Sequence, residues 1–464
     1  MRIDVSPRCL APALFAVAGF FTNLPAVGSA SLLEPFGLAG RHVTSLGMHG
    51  SLYAGTIDDG VFRRDLSNPQ ASWVSLGLPG KRIRAVYPHT SGPLGFTTSA
   101  GLEGNAPHLD SALVYCSEMD QLPWVESDDG MTRNDIISVW SLDGFPSPAI
   151  CGETFAATTG SAGGVWRRGY NSSQWEFVLD MGFGIGNVVC ADPTSGNVWA
   201  GGETSILAPW IARSSDQGDT WQVAYPDLAG DNACNAIALH PYDPDVAYAG
   251  MEGLVIKTDD GGVTWDVTGL SGTQAYIYGV ALDSATPSHI LAGGTITNPN
   301  TWALWESFDS GATWTVVPPP VQEASAVTAG ILAIVADPTR MGTFYIATWG
   351  EGVWRHISTA TGIGDPPRAS GLVLEQNYPN PFNPNTTIRF EIPASLDHSH
   401  VRLAIYGVNG NLVRVLLDEA LPAGLHRVSW KGEDASGRLM ASGVYYASLL
   451  AGPHRQARKI CLLK

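Results

Sequence analysis

Charge is scarce in this 464-residue chain, at 15% of residues, and cations are scarcer than acids, 26 Lys or Arg against 43 Asp or Glu. A basic face for a phosphate backbone needs more cations than that, so nucleic acid is excluded as a partner. Cysteine is scarce too, at six. Cys9 precedes the N-terminal apolar run, where a lipoprotein cysteine would not be, and Cys116, Cys151, Cys190, Cys234 and Cys461 show no CxxC or His-Cys spacing. That excludes a zinc site and a dense disulfide framework. The five read as buried small apolar residues, with one bridge, Cys116 to Cys151, left open. A sustained helical period is missing, as are a P-loop, a Gly-rich dinucleotide motif and a Ser-His-Asp context. No cofactor or metal is implied. Gly (53) and Pro (31) are plentiful instead, which suits a turn-rich all-β chain of two domains.

The one long apolar stretch lies at the start. Arg2 and Arg8 precede the run Leu10-APALFAVAGFF, and Pro25-AVGSA ends in small residues. Residues 1 to 30 therefore read as a Sec signal peptide cut near Ala30, too short and too interrupted by Pro12 and Pro25 for an anchor. The mature chain is expected to be exported, with no transmembrane segment after cleavage.

One eight-residue pattern occurs three times. Ser214-SDQGDT-Trp221, Thr258-DDGGVT-Trp265 and Ser307-FDSGAT-Trp314 share Ser/Thr-x-Asp-x-Gly-x-Thr-Trp. Asp216, Asp260 and Asp309 can accept from nearby backbone N–H groups, Gly218, Gly262 and Gly311 can take a positive φ, and Thr220, Thr264 and Thr313 precede a Trp that anchors the outgoing strand. The pattern resembles the Asp-box of the bacterial neuraminidase repeat, which implies the turn between third and fourth strands of β-propeller blades. Trp73, Trp124 and Trp175 extend the series backwards, in steps of 51, 51, 46, 44 and 49 residues through Trp314. A period near 45 residues is that of a propeller. A third-strand signature recurs at Gly60-VF-Arg63, Gly164-VW-Arg167 and Gly352-VW-Arg355. Seven units fit between residues 41 and 358, and the seventh lacks a fourth strand. Leu32-LEPFGLAG stands to Arg41 as Trp73-VSLGLPG does to Lys81, so the N-terminus is expected to close the ring, giving a seven-bladed propeller over residues 31–358.

Residues 359–371 concentrate Gly and Pro and read as a linker. Charge changes across it: residues 31 to 371 hold 14 Lys or Arg and 35 Asp or Glu, a formal −21, whereas residues 372 to 464 hold 10 and 7, a formal +3. In the second part Thr387-IRFEI, Val401-RLAIY, Leu412-VRVLL, His426-RVSW and Val444-YYASLL have strand length and patterning. Turns fall at Asn409-Gly410 and Ser436-Gly437, and Asn380-Pro381 and Asn383-Pro384 stiffen the entry. Together with Leu374-EQNYPNPFNPN and the terminal Arg458-KICLLK, these segments resemble the type A C-terminal sorting domain of the type IX secretion system. Departures are Gly407 where an Asp is usual and Lys431 where an acid is common. The resemblance implies an immunoglobulin-like sandwich over residues 372–464, passage through the outer membrane to the surface or medium, and the secretion machinery as partner. Lys464 is either a contact with that machinery or a charged chain end.

The resemblance to Asp-box propellers raises a glycoside hydrolase, sialidase-like or xyloglucanase-like, or a lyase, as the alternative. A sialidase needs unlike arginines converging on a carboxylate, but Arg63, Arg167, Arg213 and Arg355 recur at one blade position, which is what structure produces. Asp58-Asp59, Asp128-Asp129 and Asp259-Asp260 are adjacent pairs, not carboxylates facing each other across a sugar at roughly 5 to 10 Å. His240 reads as loop structure. The expected role is therefore binding or scaffolding without catalysis. Second-turn loops should lie on the face of the blade-to-blade connections and near the axis. They are read as carrying Asp58, Asp59, Glu153, Glu203, Glu252 and Glu351, acids from five blades around one mouth, with Trp210, Trp302 and Trp349 in the same loops. A glycan or cation-bearing peptide would stack on Trp349 and meet Glu252 and Glu351. Equally, these could be solvated turn residues.

Overall fold

The computed structural model describes residues 31–91, 95–102, 113–118, 123–131, 136–145, 153–169, 172–228, 232–297, 300–318 and 330–358, and in the C-terminal part 372–374, 377, 382, 386–392, 396, 398–407, 411–421, 424–452 and 454–462. The expected signal peptide and linker, Cys151, the expected Asn409-Gly410 turn, both Asn-Pro pairs and Lys464 lie outside the described residues.

The chain is all-β. A first strand, β1 (Leu32–Gly37), precedes six four-stranded units: β2 (Val43–His49), β3 (Ser51–Thr56), β4 (Val61–Asp65), β5 (Val74–Gly77); β6 (Ile83–Ser91), β7 (Gly95–Leu102), β8 (Val114–Glu118), β9 (Val125–Glu126); β10 (Ile136–Phe145), β11 (Glu153–Gly160), β12 (Gly164–Arg168), β13 (Trp175–Asp180); β14 (Ile185–Ala191), β15 (Val198–Glu203), β16 (Pro209–Ser214), β17 (Gln222–Ala224); β18 (Ala236–Leu239), β19 (Ala247–Gly250), β20 (Val255–Thr258), β21 (Asp266–Val267); and β22 (Ala275–Leu282), β23 (Ile290–Thr297), β24 (Asn300–Ser307), β25 (Thr315–Val316). A last unit has only β26 (Ile331–Ala336), β27 (Thr343–Thr348) and β28 (Gly352–Ile357), and its outer strand is β1, antiparallel to β28 from Leu32↔Ile357 to Gly37↔Val353. Among the described residues this makes seven antiparallel blades, I to VII, the third and fourth bridged by the single pair Thr159↔Ile185. Innermost strands touch in cyclic order from β2 through β26 and back to β2.

Each blade is apolar on both faces because it lies between two others, and seven apolar clusters result, one at each blade interface. Small residues on second strands set the spacing. A Cβ at Gly201 would lie 2.5 Å from Cys234 Sγ, and one at Gly101 2.6 Å from Val139 Cγ1, both on the next blade. The first three periodic tryptophans staple neighbouring blades: Trp73 Nε1 donates to Phe36 O (3.0 Å), Trp124 to Leu76 O and Trp175 to Ser127 O (2.7 Å each), each in the preceding blade, whereas Trp221 and Trp314 donate within their own turns.

The three eight-residue turns share one geometry. In the second, Asp260 accepts from Thr264 N (2.9 Å) and Thr264 Oγ1 (2.7 Å), while Thr258 Oγ bonds both Asp260 and Gly262 N; Gly262 has φ +88°. Ser214–Trp221 and Ser307–Trp314 repeat these bonds. The threonine bonds hold Asp216 and Asp260 down to about 2. Third-strand arginines bind the next blade's turn: Arg167 Nη1 reaches Gln217 O (2.9 Å) and Asp219 (2.6 Å), and Arg213 reaches Gly261 O (3.2 Å). Trp210 is no loop residue; it is fully buried in β16, with Nε1 donating to Ile185 O.

The C-terminal part is a sandwich. One sheet has β29 (Val373–Leu374), β30 (Thr386–Ile392) and β33 (Gly424–Trp430); the other orders β32 (Leu412–Leu421), β31 (Ser399–Gly407), β34 (Gly443–Ala451) and β35 (His454–Leu462). Alternating residues, among them Ile388, Phe390, Leu403, Ile405, Leu449 and Trp430, fill the space between. The Ser436-Gly437 turn is held by Asp434, which accepts from Ser436 N and Arg438 N. The Cys116, Cys190 and Cys234 thiols are unbridged; Cys116 Sγ lies 3.2 Å from Ser99 Oγ, and Cys190 and Cys234 pack at the blade IV–V interface.

Candidate functional site

Antiparallel connectivity puts the start of every innermost strand on the face that carries the second-turn loops and the blade-to-blade links. The channel opening there is lined by innermost strands of all seven blades and encloses 890 Å³. A regular strand directs its side chains toward the two neighbouring blades and sends little into the axis. Here six of the seven innermost strands, among the described residues, carry a β-bulge. Register slips by one at Val43/Ser45, Ile83/Ala85, Gly186/Val188, Ile277/Gly279 and Ile331/Ala333, and twice in β10, at Ile136/Ser138 and Val139/Ser141. Of the inserted residues, Thr44, Arg84, Trp140, Asn187, Tyr278 and Leu332 line the channel. In blade V Asn235, just ahead of β18, holds that place: its N–H donates to Gly250 O (2.9 Å), although Ala236 is the register partner of Gly250.

These insertions build a wall of aromatic and amide groups. The Arg84 guanidinium lies 4.6 Å from the Trp140 ring centroid. Tyr276 and Tyr278 stack with centroids 6.2 Å apart and planes at 12°. Asn187 Nδ2 donates to Asn235 Oδ1 (3.1 Å) and Cys234 O (3.2 Å), which fixes that amide pair across blades IV and V. Burial first, then the nearby Glu252 carboxylate, raises the Tyr278 phenol, and Arg84 opposes the shift. Deeper in the channel Asp143 accepts from Ala191 N (2.9 Å) and Gly144 N (2.8 Å), yet burial dominates and pushes its carboxyl up to about 7.

The residues read from the sequence divide between this mouth and elsewhere. Trp349, in the β27–β28 turn, lines the channel and packs on His42 at 4.4 Å between centroids. Glu252, in the β19–β20 turn, forms a β-bridge with Tyr276. Glu203 ends β15 on the same face. Asp58 and Asp59 are exposed in the β3–β4 turn, and Asp59 is ion-paired with Arg41. Glu351 is half-buried, its Oε2 sealed from solvent without a hydrogen-bond partner among the described residues, and burial raises its pKa. It is therefore no exposed rim charge. Glu153 is misplaced by the sequence reading: it opens β11, pairs with Phe145 at the first turn, and lies 3.8 Å from Arg167 on the opposite face. Of the six acids read from the sequence, five, from four blades, lie on the mouth face. Trp302 packs on Trp354 at 5.6 Å.

Sequence reasoning missed Arg84, Trp140, Asn187, Asn235, Tyr276, Tyr278 and Asp143. The available signal was a large or polar residue inside an innermost strand just ahead of a small residue that pairs with a Gly of the second strand, as Arg84 precedes Ala85, paired with Gly101, and Tyr278 precedes Gly279, paired with Gly293.

Residues 380–452 match the FlgD Ig-like domain family. No curated protein matches the chain in sequence. Among solved structures the chain is similar to the GH74 xyloglucanase from Xanthomonas campestris, at 13% identity and a TM-score of 0.51 over 92% of this chain and 75% of that one. It is similar to the Niastella koreensis GH74 enzyme at 15% identity and a TM-score of 0.50, over 92% and 73%. With YCF48 bound to D1 peptide the figures are 12%, 0.47, 70% and 96%. At these identities the GH74 likeness is one of fold, the β-propeller.

Proposed function

We propose that this chain is an exported, surface-presented binding propeller, without catalysis, whose ligand stacks in the channel mouth between Trp140, Tyr276, Tyr278 and Trp349. The observation that carries this is what the bulges hold: the bulge recurs with the scaffold, but the side chains at it, Arg84, Asn187 and Tyr278 among them, differ from blade to blade and share one cavity. Arg84, Asn187 and Asn235 supply donors and acceptors beside the rings, and Glu252 a charge, which suits a ligand with both an apolar face and polar edges. The three turns serve as Asp-boxes, locking blades IV to VI.

The C-terminal sandwich serves as a type IX sorting domain that carries the propeller through the outer membrane, with residues 372–464 engaging the secretion machinery. Its two-sheet order and its match to an Ig-like family support this, together with the basic terminal strand Arg455 to Lys459. The signal peptide read in residues 1–30 supplies the preceding inner-membrane step.

A hydrolase is the second reading, and Asp143 favours it: a carboxyl near 7 inside a channel could act as a general acid. A glycosidase needs a second carboxylate facing it, and Asp143 is the one carboxylate among the described lining residues. Glycan and peptide arrays probed with residues 31–464 test the proposal. Tyr278→Ala and Trp349→Ala should abolish capture of whatever ligand binds, with unchanged unfolding midpoints. Capture that survives both places the site elsewhere. Turnover of an arrayed glycan by the native chain and not by Asp143→Asn would establish the hydrolase.

A further inference from the structure

The mouth continues outward into an apolar surface that none of the chemistry above uses. Phe183 is 78% exposed, Ile185 37%, Ile206 82% and Leu207 50%. Single exposed apolar residues are ordinary, but these four belong to two adjoining segments. Ile185 is the register partner of Glu203, and a Cβ at Gly184 would lie 2.9 Å from Glu203 O, so Phe183-Gly184-Ile185 runs beside the start of the Thr204–Ala208 turn. That turn is closed by Thr204 N donating to Ala208 O (2.8 Å) and Ala208 N to Thr204 Oγ1 (3.0 Å). Leu207 sits at φ +63°, a conformation that disfavours a side chain of its shape. Leu38 and Leu78 share that conformation at equivalent fourth-strand ends, and Gln217 and Ser310 do so inside Asp-box turns; Leu207 has no such repeat. Among the described residues, the corresponding turns Ile57–Gly60, Ser161–Gly163, Met251–Leu254 and Trp349–Glu351 hold no large apolar side chain as exposed as Ile206 or Leu207.

The surface is continuous with the mouth. Two residues beyond Ile185 in the same strand, Asn187 is the bulge residue that lines the channel. It is also flanked by acids, Glu203 between the two segments and exposed Asp180 ahead of Phe183, and Glu252 follows at the rim in blade V.

We infer that the ligand of the mouth is a segment of a partner protein bearing alternate basic and large apolar side chains, which runs from the channel over Ile185 onto Phe183, Ile206 and Leu207. This rests on the mouth being the binding site. A saccharide would use the stacked rings but gains little from aliphatic side chains held out on a turn. Alternating apolar side chains of an extended peptide would cover them, and its basic side chains would meet Glu203, Asp180 and Glu252.

The probes are three fluorescein-labelled 12-residue peptides, alternating Lys/Leu, Lys/Ser and Glu/Leu, titrated into residues 31–464 with anisotropy as readout. The Lys/Leu peptide should bind at least ~10-fold more tightly than either other peptide. Phe183→Ser/Ile206→Ser should weaken it by at least ~10-fold, the equivalent of about 1.4 kcal/mol; both side chains are exposed, so the unfolding midpoint should not move. Leu207→Gly should weaken binding while raising the midpoint, by relief of the left-handed backbone. Equal binding of Lys/Leu and Lys/Ser, or an unchanged affinity in the Phe183/Ile206 variant, overturns the inference. If no peptide binds while a glycan is captured in a Tyr278-dependent way, the mouth reading stands and this one falls. If peptide binding needs Phe183 and Ile206 but not Tyr278 or Trp349, the surface is a docking site and the mouth reading falls.

Discussion

Phe36→Ala offers the sharpest test of how the ring is closed. Phe36 belongs to β1, the strand that joins the start of the propeller to its last blade, and it is 7% exposed. Its ring lies between two cations, 3.8 Å from the Arg64 guanidinium and 5.0 Å from that of Arg355, and 4.9 Å from the Tyr345 ring. Its carbonyl accepts from Trp73 Nε1 and from Arg64. Arg355 is held by Glu34 of the same strand, Nε to Oε1 at 2.7 Å. Burial and the neighbouring Arg355 lower the Arg64 pKa, so this is a crowded cationic site that the aromatic face and Glu34 make tolerable. Truncating a buried Phe costs about 3–5 kcal/mol through lost transfer energy and the cavity left behind. Each lost cation–π contact is worth about 0.5–2 kcal/mol and overlaps with that figure, so about 4 kcal/mol is the expected cost. At roughly 2 °C per kcal/mol for a domain of this size, the midpoint should fall by about 8 °C. Calorimetry of residues 31–358 reads this directly. Deleting residues 31–40 should cost more, and adding them back as a free peptide should restore part of the loss by mass action. A Phe36→Ala midpoint within about 2 °C of the parent, or a deletion as stable as the parent, would refute the clasp.

Other consequences follow from particular contacts. Glu306, 2% exposed, accepts from His289 Nε2 (2.8 Å) within blade VI and from His356 Nε2 (3.0 Å) across the blade VI–VII interface, and Glu306→Gln should cost about 3–5 kcal/mol in denaturant unfolding, as for a broken buried pair. Burial opposes ionisation there, but the two histidines hold the Glu306 carboxyl down to about 2, so its contribution is present above about pH 4.5 and lost as pH falls toward 2. For His289 burial also opposes the charge, but Asp283 and Glu306 outweigh it and raise the pKa, so its contribution is full below about pH 6.5 and lost as pH rises through the folded value. A pH–stability profile of the Gln variant with an unchanged acid limb would contradict the assignment; the alkaline limb should shrink without vanishing, because Asp283 still faces His289. Gly201→Ala should cost about 1–3 kcal/mol by forcing the blade IV–V interface apart, and an unchanged midpoint would show that Cys234 yields instead. Truncation after Thr359 should leave a folded propeller in the periplasm of a host with type IX secretion, and its appearance on the surface in normal amounts would remove the sorting role.

What could be read from the sequence follows from how far apart the determining residues stand. The repeated turn closes within eight residues, so Asp260, Gly262 and Thr264 announce it without help from the rest of the chain, and the spacing of its copies then gives the blades. The sandwich strands announced themselves by alternation over one buried face, as in Val401, Leu403 and Ile405. Glu153 shows where local reading stops. Gly-Glu-Thr occurs at residues 152–154 and again at 202–204, yet Glu153 opens a strand and Glu203 closes one, on opposite faces. The difference lies in the buried run, Phe155 to Thr159 after the first and Val198 to Gly202 before the second, not in the tripeptide. The mouth was hidden for a deeper reason. Blade interfaces consume both faces of an innermost strand, so the residues that reach the axis are those the register leaves over, and a single inserted Arg84 or Tyr278 changes neither composition nor period. Periodicity reveals the scaffold because the scaffold is what repeats. A site at the axis of such a ring must be written in the departures from the repeat, and it becomes visible only once the pairing register is known.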